Sequence, residues 1–222
     1  MSAQRAGHLS GSQSWVIATR SSGKLRELRP IFASAGIDVI DLAEAMISEE
    51  PDEAGIEIFD TFEANALAKA RYFHARSGGR DIVADDSGLE VLALGGAPGV
   101  RSKRWSERED LNGAALDAAN NALLIERLRD VSDRRARFVC AAAWCGAAGS
   151  LVVRGTASGA IVERPAGTHG FGYDPYFYSD QLGMTLAEAT VEQKQLVSHR
   201  GRAFAELISV LRERGVLDEP RA

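Results

Sequence analysis

A mixed α/β fold built on a long central sheet is what this sequence predicts, and three observations carry that expectation. Near the N-terminus, Trp15-Val16-Ile17-Ala18 is a strand-like apolar run, followed by a polar turn and a helical pattern that ends at Gly36. In the middle, the strand 81–85 runs through apolar Val83-Ala84 into Asp85-Asp86-Ser87-Gly88, acids at the end of a buried strand, where α/β sheets gather ligands and metals. Further on, Phe138 to Trp144 and Leu151 to Arg154 flank a Gly-containing turn, the pattern of a hairpin. A chain of 222 residues, 45% hydrophobic, can bury one sizeable core or two lobes that share a cleft.

In chain order, residues 1–13 are polar and are expected to be a disordered leader. After the first strand, Thr19 to Lys24 form the turn, and Leu25, Leu28, Phe32 and Ala35 share one face of the helix that follows. Pro30 lies inside that helix, lacks an amide hydrogen, and predicts a kink. Ile37 to Leu42 is the second strand, and Ala43 to Asp60 an acidic connection with six Asp or Glu between Glu44 and Glu57. Thr61 is the N-cap of a helix with Phe62, Ala66, Ala70 and Phe73 at helical spacing, closed by Ser77-Gly78-Gly79. Strand 81–85, a return strand at Leu89 to Leu94, a Gly-rich loop at Gly95 to Gly99 and a long helix from Asp110 to Val131 follow. After the hairpin, the loop Arg164 to Asp174 is dense in Gly, Pro and aromatics, and a last helix carries Phe204, Leu207, Ile208 and Leu211. The expected organisation is a single domain over 14–216 with a loose tail at 217–222.

Charge and composition exclude several functions. A net charge of −5 argues against a nonspecific nucleic-acid binder, which needs a basic face to release counterions. No apolar run approaches the ~20 residues of a membrane span, and Met1 to Ser14 has no apolar core of a signal peptide, so the expected location is cytoplasmic. Cys140 and Cys145 lie in an apolar stretch and suit reduced thiols rather than a disulfide framework or a zinc site.

Chemistry concentrates in a few places. Thr19-Arg20-Ser21-Ser22-Gly23-Lys24 can present backbone amides, a helix N-terminus and an ammonium group to phosphate, although an ordinary capped helix uses the same residues. At Asp85-Asp86 an extended backbone sends the two carboxylates to opposite faces, so one can turn toward a cation or a water while the other stays with the core. A capped strand-to-turn junction is the alternative there. Either Glu53 or Glu57 could fold back to join Asp86 around a hard cation such as Mg²⁺. Asn65 and Lys69, one turn apart, could reach a phosphate or organise the carboxylates. Phe171-Gly172-Tyr173-Asp174 before a proline offers a ring for a planar ligand and a carboxylate for its edge, or else a packed loop. Lys194, His199 and Arg200 bring three donors within about two helical turns.

In this order, these motifs resemble the Ham1/RdgB family of inosine triphosphate pyrophosphatases. The carriers are Thr19-x-x-x-Gly23-Lys24, Thr61-Phe62-x-x-Asn65-Ala66-x-x-Lys69-Ala70, Ala84 to Leu89, Gly95 to Gly99, Phe171 to Pro175 and Ser198-His199-Arg200-Gly201, spread over about residues 15–213. The resemblance implies a two-lobed fold with a cleft, a homodimer, and Mg²⁺-dependent hydrolysis of ITP, dITP or XTP to the monophosphate and pyrophosphate. It implies that Thr19 to Lys24 hold the triphosphate, that Asp86 is the catalytic carboxylate and, with Glu57, a metal ligand, and that Ser87 touches substrate. Phe171, Gly172, Tyr173, Asp174, Lys194, His199 and Arg200 would then surround base and sugar. Two departures stand out: Arg20-Ser21 replaces the Gly-Asn common after the first Thr, and Ala64 replaces the Glu usual before the helix Asn. A Maf-like nucleotide pyrophosphatase and a non-hydrolytic nucleotide-binding protein are the competing readings.

Overall fold

The computed structural model describes residues 14–218; the expected leader at 1–13 and the end of the tail at 219–222 lie outside the described residues. A seven-stranded mixed sheet organises the chain in the order β2-β1-β3-β4-β5-β6-β7. Its strands are β1 (Trp15–Ile17), β2 (Val39–Asp41), β3 (Ile82–Val91), β4 (Arg135–Gly146), β5 (Gly149–Ile161), β6 (Phe177–Ser179) and β7 (Met184–Thr185). The helices are α1 (Ser22–Ser34), α2 (Phe62–Arg76), α3 (Gly113–Arg127), α4 (Val191–Val197) and α5 (His199–Glu213). The mixed α/β class and the hairpin, formed by β4 and β5, are as expected.

The central correction concerns β3. A strand, a turn and a return strand were expected over 81–94, yet one strand runs through Asp85-Asp86-Ser87-Gly88 and pairs antiparallel with β4 from Ile82↔Cys145 to Val91↔Ala136. Gly88 is no turn residue. A β-carbon there would lie 2.4 Å from the Gly99 carbonyl oxygen and 2.4 Å from Ser102 Oγ, so glycine is needed for the close approach of the 99–104 segment. Ser102 Oγ occupies that space, accepting from Leu89 N at 2.8 Å and donating to Gly99 O at 2.6 Å.

Pairing with β1 is parallel and reaches only Ile17↔Val83. The acids therefore lie just past the carboxyl end of the parallel part, the crevice position of α/β sheets, although they sit within a strand. Side-chain alternation then divides the sheet. Val83 faces α1 and α5 with Ile17, Leu28, Phe32, Phe204 and Leu207, while Ile82 and Ala84 face α2 with Phe62, Ala66, Ala70 and Phe73. A third apolar cluster joins Leu89, Val91, Leu124, Phe138, Tyr173 and Phe177 at the other end of the sheet.

Helix α1 passes through Pro30 to Ser34 rather than ending there, and Gly36 follows it with φ +72°. Helix α3 starts at Gly113 and stops at Arg127, shorter than the span 110–131; Asp110 instead pairs with Arg108 at 2.7 Å. Between α4 and α5 the backbone turns at Ser198 (ψ 149°), whose hydroxyl caps α5 by accepting from Gly201 N at 2.9 Å. Leu217, expected in the tail, packs with Val216 against the core beneath α1 and α5. No helix among the described residues is long and apolar enough to cross a membrane.

Candidate active site

Asp85 and Asp86 emerge on opposite faces of β3, as extended geometry requires. Asp85 is 1% exposed and lies on the α1/α5 face. Its Oδ2 is 3.0 Å from Lys24 Nζ, receives Arg200 Nε at 3.2 Å and Ser87 Oγ at 3.1 Å, and lies 3.9 Å from Cys140 Sγ. Lys69 Nζ, coming from α2, donates to the Asp85 carbonyl oxygen at 2.7 Å. Burial works against the Asp85 charge, but Lys24, Arg200 and Lys69 together hold its carboxyl well below the usual range. Asp85 is thus the fixed anion that organises cations.

Asp86 has a different environment. It faces α2, where Asn65 Nδ2 donates to Oδ2 at 2.9 Å, and its Oδ1 accepts the Ser87 amide at 2.9 Å. Asn65 also accepts from Phe59 N at 2.9 Å and donates to Phe59 O at 3.1 Å, so it joins the acidic connection to the strand. Burial pushes Asp86 up to about 6, against the pull of Lys24, and the nearby negative charge of Glu57 adds to the rise. Glu57 itself pairs with Lys69; although burial opposes its charge, Lys69 keeps it below the usual carboxylate range. Of the two acids offered for the second metal position, Glu57 is the one whose charge Asp86 feels. Glu53 is turned to Arg20, with 3.0 and 2.7 Å contacts.

Among the described residues no three His, Cys, Asp or Glu side chains gather into a metal cage. The donor set nevertheless fits a hard cation. The charge of Glu57 raises the proton affinity of Asp86, repulsion that a cation between them would relieve, and Mg²⁺ is usually held by one or two carboxylates plus waters and substrate phosphates.

The turn Thr19 to Lys24 leads from β1 into α1. Ser21 caps α1 by accepting from Lys24 N at 3.4 Å, and Thr19 Oγ1 accepts from Ser21 N at 3.2 Å, so the capped-helix reading of this turn holds. Gly23 lies in the first turn of α1 under Phe171: a β-carbon there would stand 2.8 Å from Phe171 Cδ1. The loop 171–174 is thereby brought onto the turn Thr19 to Lys24. Lys194 Nζ is 5.2 Å and Arg200 Cζ 6.0 Å from the Phe171 ring centre, within the range of cation–π attraction. Asp174 Oδ2 accepts from Phe171 N at 2.9 Å and from Lys194 Nζ at 2.6 Å.

His199 stands apart from its neighbours in sequence. Its ring stacks on Phe138 with centres 4.7 Å apart and planes 12° apart, 4% exposed, and Nδ1 has no hydrogen-bond partner. Burial, reinforced by Arg200, lowers its pKa well below the usual value, so it is a neutral ring here. Tyr173 donates its hydroxyl to Ser102 O at 2.8 Å and belongs to the third apolar cluster.

Sequence reasoning missed Glu27. It is the common partner of Lys194, at 2.6 Å, and of Arg200, so α1 is tied to α4 and α5. Burial alone would raise its pKa, but Arg200 and Lys194 overcome that and lower it to about 2. Its position one turn after Lys24 was the available signal. Also missed were Asp117 and Asn121 of α3, which hold both backbone groups of Gly172: Asp117 Oδ2 accepts its N–H at 2.8 Å and Asn121 Nδ2 donates to its carbonyl at 2.9 Å. No local pattern points from α3 to a loop some 50 residues away.

A model of the Ham1 family matches residues 15–210. The dITP/XTP pyrophosphatase of Bordetella parapertussis is 45% identical over 208 residues, 92% of this chain and 94% of the relative. That of Frankia alni is 47% identical over 201 residues, 89% of this chain and 96% of the relative. Among solved structures, the Ham1 protein of Staphylococcus aureus superposes with a TM-score of 0.76 at 36% identity, covering 91% of this chain and 100% of that one. With the match spanning nearly all of the sheet and every motif that converges on Asp85 and Asp86, the chain belongs to the Ham1 family.

Proposed function

We propose that this protein hydrolyses deaminated purine nucleoside triphosphates (ITP, dITP and XTP) to the monophosphate and pyrophosphate, using Mg²⁺ held by Asp86 and Glu57. The observation that carries the reading is the convergence of a buried, high-pKa Asp86, the cations Lys24 and Lys69 beside it, and an aromatic ring over the start of α1. The names of the Ham1 relatives, dITP/XTP pyrophosphatases, support it. A homodimer, implied by the family resemblance, and a cytoplasmic location, expected from the sequence composition, are part of the proposal.

In this reading the triphosphate lies along the turn Thr19 to Lys24, and Lys24 offsets charge that develops on the phosphate oxygens. Bound Mg²⁺ supplies Lewis-acid polarisation of the phosphate oxygens. Asp86 orients the attacking water and takes its proton. Asn65, which donates to Asp86 Oδ2 at 2.9 Å, fixes the direction of that carboxylate. The leaving group is pyrophosphate. Phe171 stacks on the base, and Lys194 and Arg200 exchange part of their contacts with Glu27 and Asp174 for the keto oxygens of hypoxanthine or xanthine. Adenine has an amino group at that position and would leave a donor unpaired, a cost of about 1–3 kcal/mol per group.

The test is the initial rate of pyrophosphate release from dITP, XTP, dGTP and ATP, with and without Mg²⁺. Metal-dependent release from dITP and XTP, with dGTP and ATP slower by orders of magnitude, is expected; guanine shares the 6-keto oxygen, so its rejection requires a separate contact near position 2. Asp86→Asn should lower kcat by about 10²–10⁴ while nucleotide binding persists. Hydrolysis that survives in Asp86→Asn would remove Asp86 from the catalytic role, and equal rates on all four nucleotides would remove the base selectivity.

A further inference from the structure

Arg20 stands where the resembled motif has a glycine, and its side chain is committed. Nε and Nη2 grip both carboxylate oxygens of Glu53, at 3.0 and 2.7 Å, and both Nη atoms approach the Ile47 carbonyl at 3.4 Å. Such a two-point contact fixes orientation as well as distance. One guanidinium from the phosphate turn therefore holds two points of the acidic connection, six residues apart in sequence.

Polar contacts are the main tie on the rest of that segment. Ile47 is buried in the core on the α2 side and Ile56 packs partly buried against the same cluster, but no residue from 48 to 60 is buried, so apolar packing holds it at few points. The other contacts are polar: Tyr72 donates to Asp52 at 2.6 Å, Arg76 stands 3.4 Å from Glu50, Arg104 Nη2 donates to the Glu57 carbonyl at 3.3 Å, Lys69 pairs with the Glu57 carboxylate, and Asn65 holds both backbone groups of Phe59. Glu53 lies at the centre of this arrangement. Its carboxylate accepts from Glu50 N at 3.3 Å and closes a capping box on the short 3₁₀ helix Pro51–Gly55, and its carbonyl accepts from Ile56 N at 3.2 Å, one residue before Glu57.

We propose that Arg20 and Glu53 are a positioning pair, a latch between the phosphate turn and the acidic arm that sets where Glu57 stands and so how tightly the cation is held; the inference rests on the proposed metal role of Glu57 and Asp86. Neither residue touches the reacting atoms. The pair acts through the backbone of 53–57, as the orienting partners of metal ligands do elsewhere.

Manganese binding to the full chain without nucleotide, followed by the electron paramagnetic resonance signal of free Mn²⁺, reads this independently of turnover. Arg20→Ala and Glu53→Gln should each weaken Mn²⁺ binding about tenfold, the low end for orienting partners of metal ligands. The charge reversal Arg20→Glu with Glu53→Arg should restore most of it, and amide hydrogen exchange over 48–57 should quicken in the single variants and slow again in the reversal. Glu57→Gln and Asp86→Asn serve as references. If these two weaken Mn²⁺ binding while Arg20→Ala and Glu53→Gln do not, the latch is wrong and the metal reading stands. If Glu57→Gln and Asp86→Asn leave binding unchanged, the metal reading is wrong and the latch falls with it. If Arg20→Ala raises the nucleotide KM, Glu53→Gln does not, and the reversal restores neither measurement, Arg20 is a direct phosphate contact instead.

Discussion

The distance from Gly23 to the ring of Phe171 makes a single methyl group informative. Alanine at 23 improves helix propensity by about 1 kcal/mol, and Gly23 has an ordinary helical backbone, so the substitution costs nothing locally. Its β-carbon meets Phe171 Cδ1 at 2.8 Å, so the ring must move from the start of α1. Gly23→Ala is therefore expected to leave stability within about 1 kcal/mol while raising the nucleotide KM several-fold more than it lowers kcat. Steady-state kinetics with dITP, beside urea unfolding, separates the two effects. An unchanged KM would mean that the Phe171 ring is not part of the base site. Which residues sequence reveals at this scale follows a physical rule. Asp86 and Lys24 announce themselves because a carboxylate after an apolar strand and a lysine in a Gly-containing turn are out of place as surface groups. Glu27 sits on a helix among Arg26 and Arg29, where acids are ordinary, and only the fold shows that two buried cations close over it.

Helix α1 follows directly on the turn Thr19 to Lys24, and it tolerates Pro30 in its interior. Proline has no N–H to give the Arg26 carbonyl, and its ring crowds that turn, at a cost of about 3 kcal/mol relative to alanine in isolated helices. Part of that cost is recovered because proline also restricts the unfolded chain. Pro30 is exposed and has no partner in the site. Pro30→Ala is therefore expected to raise unfolding free energy by about 1–2 kcal/mol in urea titrations, with kcat/KM unchanged. A loss of stability would show that the proline's bend is needed to seat α1 against α5. Helices α1 and α2 were legible because caps, apolar spacing and terminal glycines agreed. The continuity of β3 was not, because Asp-Asp-Ser-Gly has the composition of a turn while Gly88 is there for space against Gly99 and Ser102. Strands β6 and β7, three and two residues long, are too short for any alternation to register. The division of the last helical region at Ser198 was hidden too, since the capping geometry only makes sense once Lys194 and Arg200 are seen to approach Glu27 from two helices.

Across the whole molecule, Glu27 joins chain segments that are far apart in sequence. Its partner Arg200 is 173 residues away, and Arg212 of the same C-terminal helix donates to the Ala35 carbonyl at 2.8 Å, so α5 is fastened to both ends of α1. Folding must bring the N-terminal strand–helix unit and the last two helices together before any of these charges is compensated. The sign of the pH dependence follows. Glu27 titrates near 2 in the folded protein against an ordinary value of 4.5, so the folded state holds its charged form more tightly than the unfolded chain does. Its contribution is complete above 4.5 and is lost as pH falls from 4.5 through about 2. At neutral pH that contribution is roughly 3–4 kcal/mol, since each tenfold change in acidity is worth about 1.4 kcal/mol. Lys194 keeps Asp174 and Arg200 keeps Asp85 when Glu27 is neutralised, so the cations do not become wholly unpaired. Glu27→Gln should accordingly be less stable than the parent by about 3–4 kcal/mol at pH 7, and the gap should narrow as unfolding is measured at pH 5, 4 and 3. A gap that stays constant over that range would assign the loss to packing of the side chain, and the charge of Glu27 would not be what closes the two ends of the chain on each other.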